Sequence, residues 1–284
     1  MRIVVLGATG HIGSMVMSQL QQLFPQDEII GCARSAKGKN FLSFNIYQEH
    51  WSALGKVDVL INSVGIIEEK DENSFEKVHV QLVKDILKRR ESLGNPRIVH
   101  VSVLGADVRS KAEYSRTKGV ADELLQQEKN VAIVRPSFVL TPGTAIVQKV
   151  NMLVRISKWM LGLLLMPAHF LASKSQPVMG EDVAELIARL SKNPFTGVVY
   201  ATGPKQMHLS DMIGFSRSKV KIVPLPKWLT HWLFMLITSF KNPLMNRDQY
   251  YLLALDNVHD HSGMEKILGR KASATEEFWK NEIK

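Results

Sequence analysis

A single cysteine, Cys32, in 284 residues excludes an internal disulfide and suits a reducing compartment. Ile29-Ile30-Gly31 precede it and Ala33 follows, a setting in which a thiol serves as a small buried hydrophobe. Long uncharged apolar runs are equally scarce. Trp228 to Phe240 is thirteen residues, a helical rise of about 20 Å against a hydrocarbon core of about 30 Å. Neither it nor the apolar run Met152 to Met166, which Arg155 and Lys158 interrupt, is expected to span a bilayer. Acidic residues are missing from two stretches, between Glu28 and Glu49 and between Lys129 and Gly180. There is no internal repeat or low-complexity tract, and no residue pattern calls for a metal. The first strand is predicted to begin at Arg2, so no signal or transit peptide is expected. A cytoplasmic location is expected, peripheral on the inner membrane face if the chain meets lipid.

What is present is an α/β pattern. At 45% hydrophobic and 22% charged, the composition fits one large core with a smaller appended lobe. The β-branched run Ile3 to Leu6 reads as a buried parallel strand and feeds directly into glycines at 7, 10 and 13. Glycine suits a sharp turn where a pyrophosphate must approach the backbone, and the following helix offers free N–H groups and its positive dipole end. Gly7, Thr9, Gly10, His11, Ile12 and Gly13 are therefore candidate cofactor residues. Strands are predicted at 2–6, 28–33, 41–45, 57–62, 97–102 and 131–136, and helices at 12–23, 74–92 and 113–128. Strand and helix alternate to about residue 140, which implies right-handed crossovers and a Rossmann-type, doubly wound parallel sheet. The expected division is a dinucleotide-binding domain at 1–140 and a substrate-side lobe at 141–284 that contributes elements back to the main domain.

Two further motifs accompany the glycine turn. Val57-Asp58-Val59-Leu60-Ile61-Asn62 is a strand ending in Ser63-Val64-Gly65, and Tyr114-Ser115-Arg116-Thr117-Lys118 follows the strand Arg97 to Ser102. With these, the sequence resembles the extended and atypical short-chain dehydrogenase/reductases, including NAD-dependent epimerase/dehydratase-like proteins. The resemblance rests on GxxGxxG at 7–13, NxxG at 62–65 and YxxxK at 114–118. It extends to RPxxV at 135–139, Asp182-Val183-Ala184, and Gly197-Val198-Val199-Tyr200 with Thr202-Gly203-Pro204. Asp248-Gln249 through Val258 is similar to the subgroup of the NAD(P)H-binding accessory subunit of respiratory complex I.

The resemblance implies that Ser63, Val64, Gly65, Lys118, Pro136 and Ser137 join the cofactor site, and that Tyr114 is the catalytic acid/base. Lys118, one helical turn on, would lower the phenol pKa. Ser102 is the nearest candidate for the third catalytic hydroxyl, although the family places it slightly later, where this chain has Val103 and Leu104. His79 stands where an asparagine is common, and a surface or packing role is expected of it.

Cofactor choice is argued from the end of the second strand, where a carboxylate would bind the ribose hydroxyls and repel a 2′-phosphate. This chain offers Arg34 and Ser35 there, followed by Lys37 and Lys39, so NADP(H) is expected, with NAD as the alternative. Asn45 takes a position near the adenine that is often aspartate in the family.

From 141 to 239 there are 11 Lys and Arg against 4 Asp and Glu, 11 − 4 = +7 of the whole chain's +9. The segments 149–166 and 227–241 are read either as helices packed internally or as a peripheral contact with anionic membrane. A sequence pI near 9.5 raises nucleic acid as a partner. The cations are interleaved with aliphatic runs rather than exposed aromatics, which makes it the weakest candidate. Two functions stay open: an NAD(P)H-dependent oxidoreductase or epimerase-like enzyme with a small-molecule substrate that the sequence does not identify, and a non-catalytic NAD(P)H-binding protein attached to a membrane or larger complex.

Overall fold

Ile3, Val4, Val5 and Leu6 are wholly buried because β1 (Arg2–Leu6) has strands on both sides and helices over both faces. The computed structural model describes residues 1–35, 38–47, 50–70, 72–226, 228–230 and 247–284. Lys37 and most of the segment 227–241 therefore lie outside the described residues. The described residues group into two compact units.

The first unit is Met1–Pro136, Gly180–Ala201 and His261–Lys271. Its elements follow the expected alternation: β1, α1 (His11–Leu23), β2 (Glu28–Ala33), β3 (Phe41–Ser43), β4 (Val59–Asn62), α2 (Leu82–Arg89), β5 (Arg97–Val101), α3 (Glu113–Gln126) and β6 (Val131–Pro136). The strand Gly197–Ala201 completes a seven-stranded sheet, running in order from that strand through β6, β5, β4, β1 and β2 to β3. Every pairing is parallel. The order reverses direction between β1 and β4, and ligands of such sheets bind at this switch, beyond the carboxyl ends of the strands.

The helix predicted at 74–92 is interrupted: Glu76–Gln81 is wound as π-helix and only Leu82–Arg89 is regular α-helix. Gly180–Leu190 packs against α1 on the sheet and is tied to the chain's later part by Arg270, which reaches Asp182 at 2.7 Å and Glu185 at 2.6 Å.

The second unit is Ser137–Met179, Thr202–Asp260 and Ala272–Lys284, with its own core around Val150, Val154, Leu164, Met166, Phe170 and Trp279. The apolar segment 149–166 is not one helix. Helix α4 (Ala145–Trp159) stops where Met160 N–H bonds back to the Ile156 and Ser157 carbonyls and Leu161 and Gly162 turn left-handed, at φ +54° and +89°. The chain then continues as the strand Leu163–Pro167, parallel to Lys221–Leu225. As one apolar run the segment concealed the change from the three-to-four spacing of buried residues in α4, at Val150, Val154 and Ser157, to the alternation of Leu164 and Met166 in the strand. No helix among the described residues is long and apolar enough to cross a membrane.

Candidate functional site

The loop after β1 is a cradle that only glycine fits. Gly7 has φ +78°, and a Cβ there would lie 3.1 Å from the Ser63 carbonyl carbon and from Val64 N. A Cβ on Gly13 would collide with the Gly7 carbonyl oxygen and approach Ser63 Oγ at 2.8 Å. Ser63 is itself fixed, its N–H and its Oγ both donating to the Leu6 carbonyl, at 3.1 and 2.7 Å. The loops after β1 and β4 are thus held in backbone contact at the switch point. Gly10 caps α1 with no side-chain hydrogen bond, and the first turn carries no acid. Thr9, Gly10 and His11 are exposed, Ile12 is half-buried and Gly13 buried. An uncapped, acid-free and accessible helix start beside a glycine cradle fits a dinucleotide pyrophosphate.

At the end of β2, Arg34 and Ser35 are both exposed. The Arg34 charge reaches Tyr47, where it opposes the rise that burial imposes on the phenol. Asn45 is half-buried, and its side-chain oxygen accepts the Tyr47 N–H at 3.1 Å, which fixes the loop after β3.

Tyr114 and Lys118 lie one turn apart in the N-terminal half of α3. Lys118 is buried, donates to the Val101 carbonyl at 2.9 Å, and stands beside the loop after β4: a Cβ on Gly65 would be 3.5 Å from its Nζ. Burial lowers its ammonium to about 8, with the Asp122 carboxylate pulling the other way. Burial raises the Tyr114 phenol to about 12. Its ring meets Phe75 and His79 edge-on, at centroid distances of 5.7 and 5.6 Å.

His79 is not at the surface. It is 1% exposed, its Nδ1 pairs with Thr117 Oγ1 at 2.9 Å, and its Nε2 accepts the Ile66 N–H at 3.5 Å. The Thr117 hydroxyl donates to α3 carbonyls, so Nδ1 carries the proton and the ring is neutral. Burial first, and then the Lys118 charge, push its pKa down to about 2.

Ser102 does not stand free. It is buried, and its Oγ donates to Asp122 Oδ2 at 2.8 Å. The same oxygen accepts Arg135 Nε at 2.8 Å, while Asp122 Oδ1 faces His100 Nε2 at 3.9 Å. His100 accepts Asn62 Nδ2 at 3.1 Å, and the Asn62 oxygen holds the Val64 N–H at 3.2 Å. A buried polar chain thus runs from Arg135 and Ser102 through Asp122 and His100 to the loop after β4. Asn62, His100, Asp122 and Arg135 complete what the catalytic candidates alone had left out. Their signal was present as polar side chains at core positions: His100 within Ile98-Val99-His100-Val101, and Asp122 one turn after Lys118. Pro136 is buried at the end of β6, and its carbonyl accepts Leu104 N–H at 2.9 Å. Ser137 belongs to the second unit, where it donates to the Asn257 carbonyl at 3.3 Å.

Comparison with known proteins agrees with this architecture. The sequence model of the family described as male sterility protein matches residues 63–185. The mitochondrial NADH dehydrogenase [ubiquinone] 1 alpha subcomplex subunit 9 of Rattus norvegicus is 29% identical over 290 residues, spanning 93% of this chain and 74% of the relative. That of Mus musculus is 28% identical over 293 residues with the same coverage. Among solved structures, a nucleoside-diphosphate-sugar epimerase from Staphylococcus aureus superposes with TM-score 0.73 at 14% identity, covering 99% of this chain and 100% of that one. A UDP-glucose-4-epimerase from Stenotrophomonas maltophila with bound NAD gives 0.68 at 13% identity, covering 99% and 96%. The protein has the Rossmann fold of these NAD-binding proteins and is similar to the extended short-chain dehydrogenase/reductases of the epimerase/dehydratase type and to the accessory subunit of respiratory complex I.

Proposed function

We propose that the protein binds NADP(H) as an accessory protein of short-chain dehydrogenase/reductase type, with its nucleotide site intact and its proton-transfer set reduced. The observation that carries this reading is Ser102. The hydroxyl that would polarise a substrate is buried and donates to Asp122 at 2.8 Å. The raised Tyr114 phenol points the same way, since a general acid works best with a pKa near the working pH. Gly7 to Gly13 and the start of α1 would hold the pyrophosphate, Lys118 and the 63–65 loop the nicotinamide half, and Arg34 with Ser35 a 2′-phosphate. The curated relatives are subunits of a mitochondrial NADH dehydrogenase, which supports attachment to a membrane-bound assembly. A cytoplasmic place on the inner membrane face suits the buried lone thiol Cys32.

The second reading, an oxidoreductase, is favoured by Tyr114 and Lys118 themselves. Bound NADPH would supply hydride. Tyr114 would then give its proton to the carbonyl oxygen, and the products would be an alcohol and NADP⁺.

The test is titration of wild type and Arg34→Asp with NADPH and NADH. NADPH is expected to bind wild type tighter by roughly tenfold, the scale of one charge-assisted contact, and the variant to lose the preference. Equal affinities, unchanged in the variant, would overturn the NADP(H) assignment. Absence of binding to either would overturn the nucleotide reading.

A further inference from the structure

The turn that ends α4 exposes its largest side chains. Trp159 is 93% exposed and Leu161 97%, with Met160 between them also exposed. The apolar surface continues along the next strand, where Leu164 and Met166 enter the core while Leu163 and Leu165 face outward. A strand that is apolar on both faces has more apolar surface than its own core uses, and contiguous patches of this kind mark contact sites. Leu161 adds a second cost. It holds φ +54°, a left-handed conformation that glycine or asparagine adopts far more readily than leucine. The left-handed turn ends α4, but it does not require an exposed leucine.

The charges around this apex are of one sign. Arg155 and Lys158 are exposed on the last turns of α4. Lys221 stands opposite Leu163 in the strand register, and the Lys219 backbone lies against Gly162. None of these four cations makes an ion pair among the described residues. No Asp or Glu occurs from Asn130 through Met179 or from Met212 through Pro226, the stretches that hold the apex and its paired strand.

We propose that the apex Trp159–Leu161, with the outward face of the strand Leu163–Pro167, is a docking surface for an anionic phospholipid bilayer. The apolar side chains enter the interface, where tryptophan is favoured, while the collar of lysine and arginine meets the lipid phosphates. A protruding apolar tip with a basic collar suits a fluid surface that moulds around it. A protein partner of this surface would have to supply a matching socket ringed with acids. Trp228, at 68% exposed, follows the Leu225 end of the paired strand and is not part of this apex. The inference goes beyond the nucleotide reading and does not depend on it.

The test is co-sedimentation of the full chain with vesicles of phosphatidylcholine, alone or mixed with phosphatidylglycerol, at low and high salt. Wild type is expected to pellet with the mixed vesicles at low salt, to remain in the supernatant with phosphatidylcholine alone, and to bind roughly tenfold more weakly at high salt. Trp159→Ser and Leu161→Asn should each lower affinity by roughly tenfold, and Lys158→Glu should remove much of the salt dependence. Leu161→Asn should keep or raise the thermal midpoint, because it relieves the left-handed strain, so its loss of binding is not a loss of fold. NADPH affinity should be the same in all variants, which separates this surface from the nucleotide site. Wild type that stays soluble beside phosphatidylglycerol vesicles, or apex variants that bind them undiminished, would overturn the proposal. Self-association that the apex variants abolish, without vesicle binding, would reassign the apex to a second copy of the chain.

Discussion

His79 Nδ1 donates to Thr117 Oγ1 at 2.9 Å across 38 residues, and because the Thr117 hydroxyl is itself given to α3 carbonyls, this bond places the ring proton on Nδ1 and leaves Nε2 as an acceptor. Nε2 accepts the Ile66 N–H, so a second proton would break that contact and place a buried charge near Lys118. The same holds for His100, whose pKa burial pushes well below its ordinary value and whose Nδ1 accepts from Asn62.

Acid lability follows from these two rings. Both folded pKa values are depressed, so above pH 6.5 neither state takes up a proton and the rings have no effect on stability. Below 6.5 the unfolded chain protonates both while the native state protonates neither. Stability should therefore fall by about 1.4 kcal/mol per pH unit for each histidine. Denaturant melts between pH 7.5 and 4.5 should show this slope in wild type and roughly half of it in His79→Asn. A variant slope equal to that of wild type would show that His79 is protonated in the native state.

Lys118 acts with the same sign in a higher pH window. Its folded pKa is lowered from 10.5 to about 8. Below 8 both states are charged and the native state bears the full cost of burying the ammonium. Between 8 and 10.5 only the unfolded chain holds the proton, so stability rises with pH. Lys118→Met should be more stable than wild type at pH 7, by up to about 3 kcal/mol less the lost bond to Val101, and this margin should shrink by pH 9.5. The same variant should bind NADPH at least roughly tenfold more weakly, the scale of a lost charge-assisted contact. Undiminished affinity would remove Lys118 from the nucleotide site.

The glycine cradle separates steric from conformational demands. Gly13→Ala drives a Cβ into the Gly7 carbonyl, backbone that cannot move without unseating Ser63 and β4. A cost of about 2–4 kcal/mol and loss of dinucleotide binding are expected. Gly143→Ala is the control: its φ is +76°, but nothing lies within 4 Å, so about 1 kcal/mol and unchanged binding are expected. If both variants behave alike, the close approach between the loops after β1 and β4 is not what glycine secures at position 13.

These residues show what the sequence made legible. Ile3 to Leu6 and the glycines at 7, 10 and 13 announce the strand, turn and helix because local chemistry dictates each of them. The π-wound turn at Glu76–Gln81 carries no such local signal: it brings His79 inward, onto Tyr114 and Thr117, which are distant in sequence. The chain through Asn62, His100 and Asp122 was hidden for the same reason. Asn62 and His100 stand opposite each other only in the parallel register of β4 and β5, and a register is a property of the assembled sheet. Apolar periodicity also misread 149–166, where the left-handed pair Leu161-Gly162 ends the helix without a proline.

Tyr114 decides between the two functional readings. Its ring is held edge-on by Phe75 and His79, so Tyr114→Phe keeps the packing and removes only the hydroxyl, and stability should change by no more than about 1 kcal/mol. NADPH affinity should stay within roughly twofold, since Lys118 and the 63–65 loop, not the phenol, are assigned to the cofactor. NADPH oxidation by wild type and variant should then be followed with a panel of carbonyl and quinone acceptors. With the Ser102 hydroxyl committed to Asp122 and the phenol raised to about 12, both proteins should consume NADPH at the background rate. Turnover by wild type that Tyr114→Phe abolishes would identify the phenol as a working acid and replace the accessory reading with the oxidoreductase. Turnover that survives in the variant would mean that the proton comes from another group and would overturn both assignments of Tyr114.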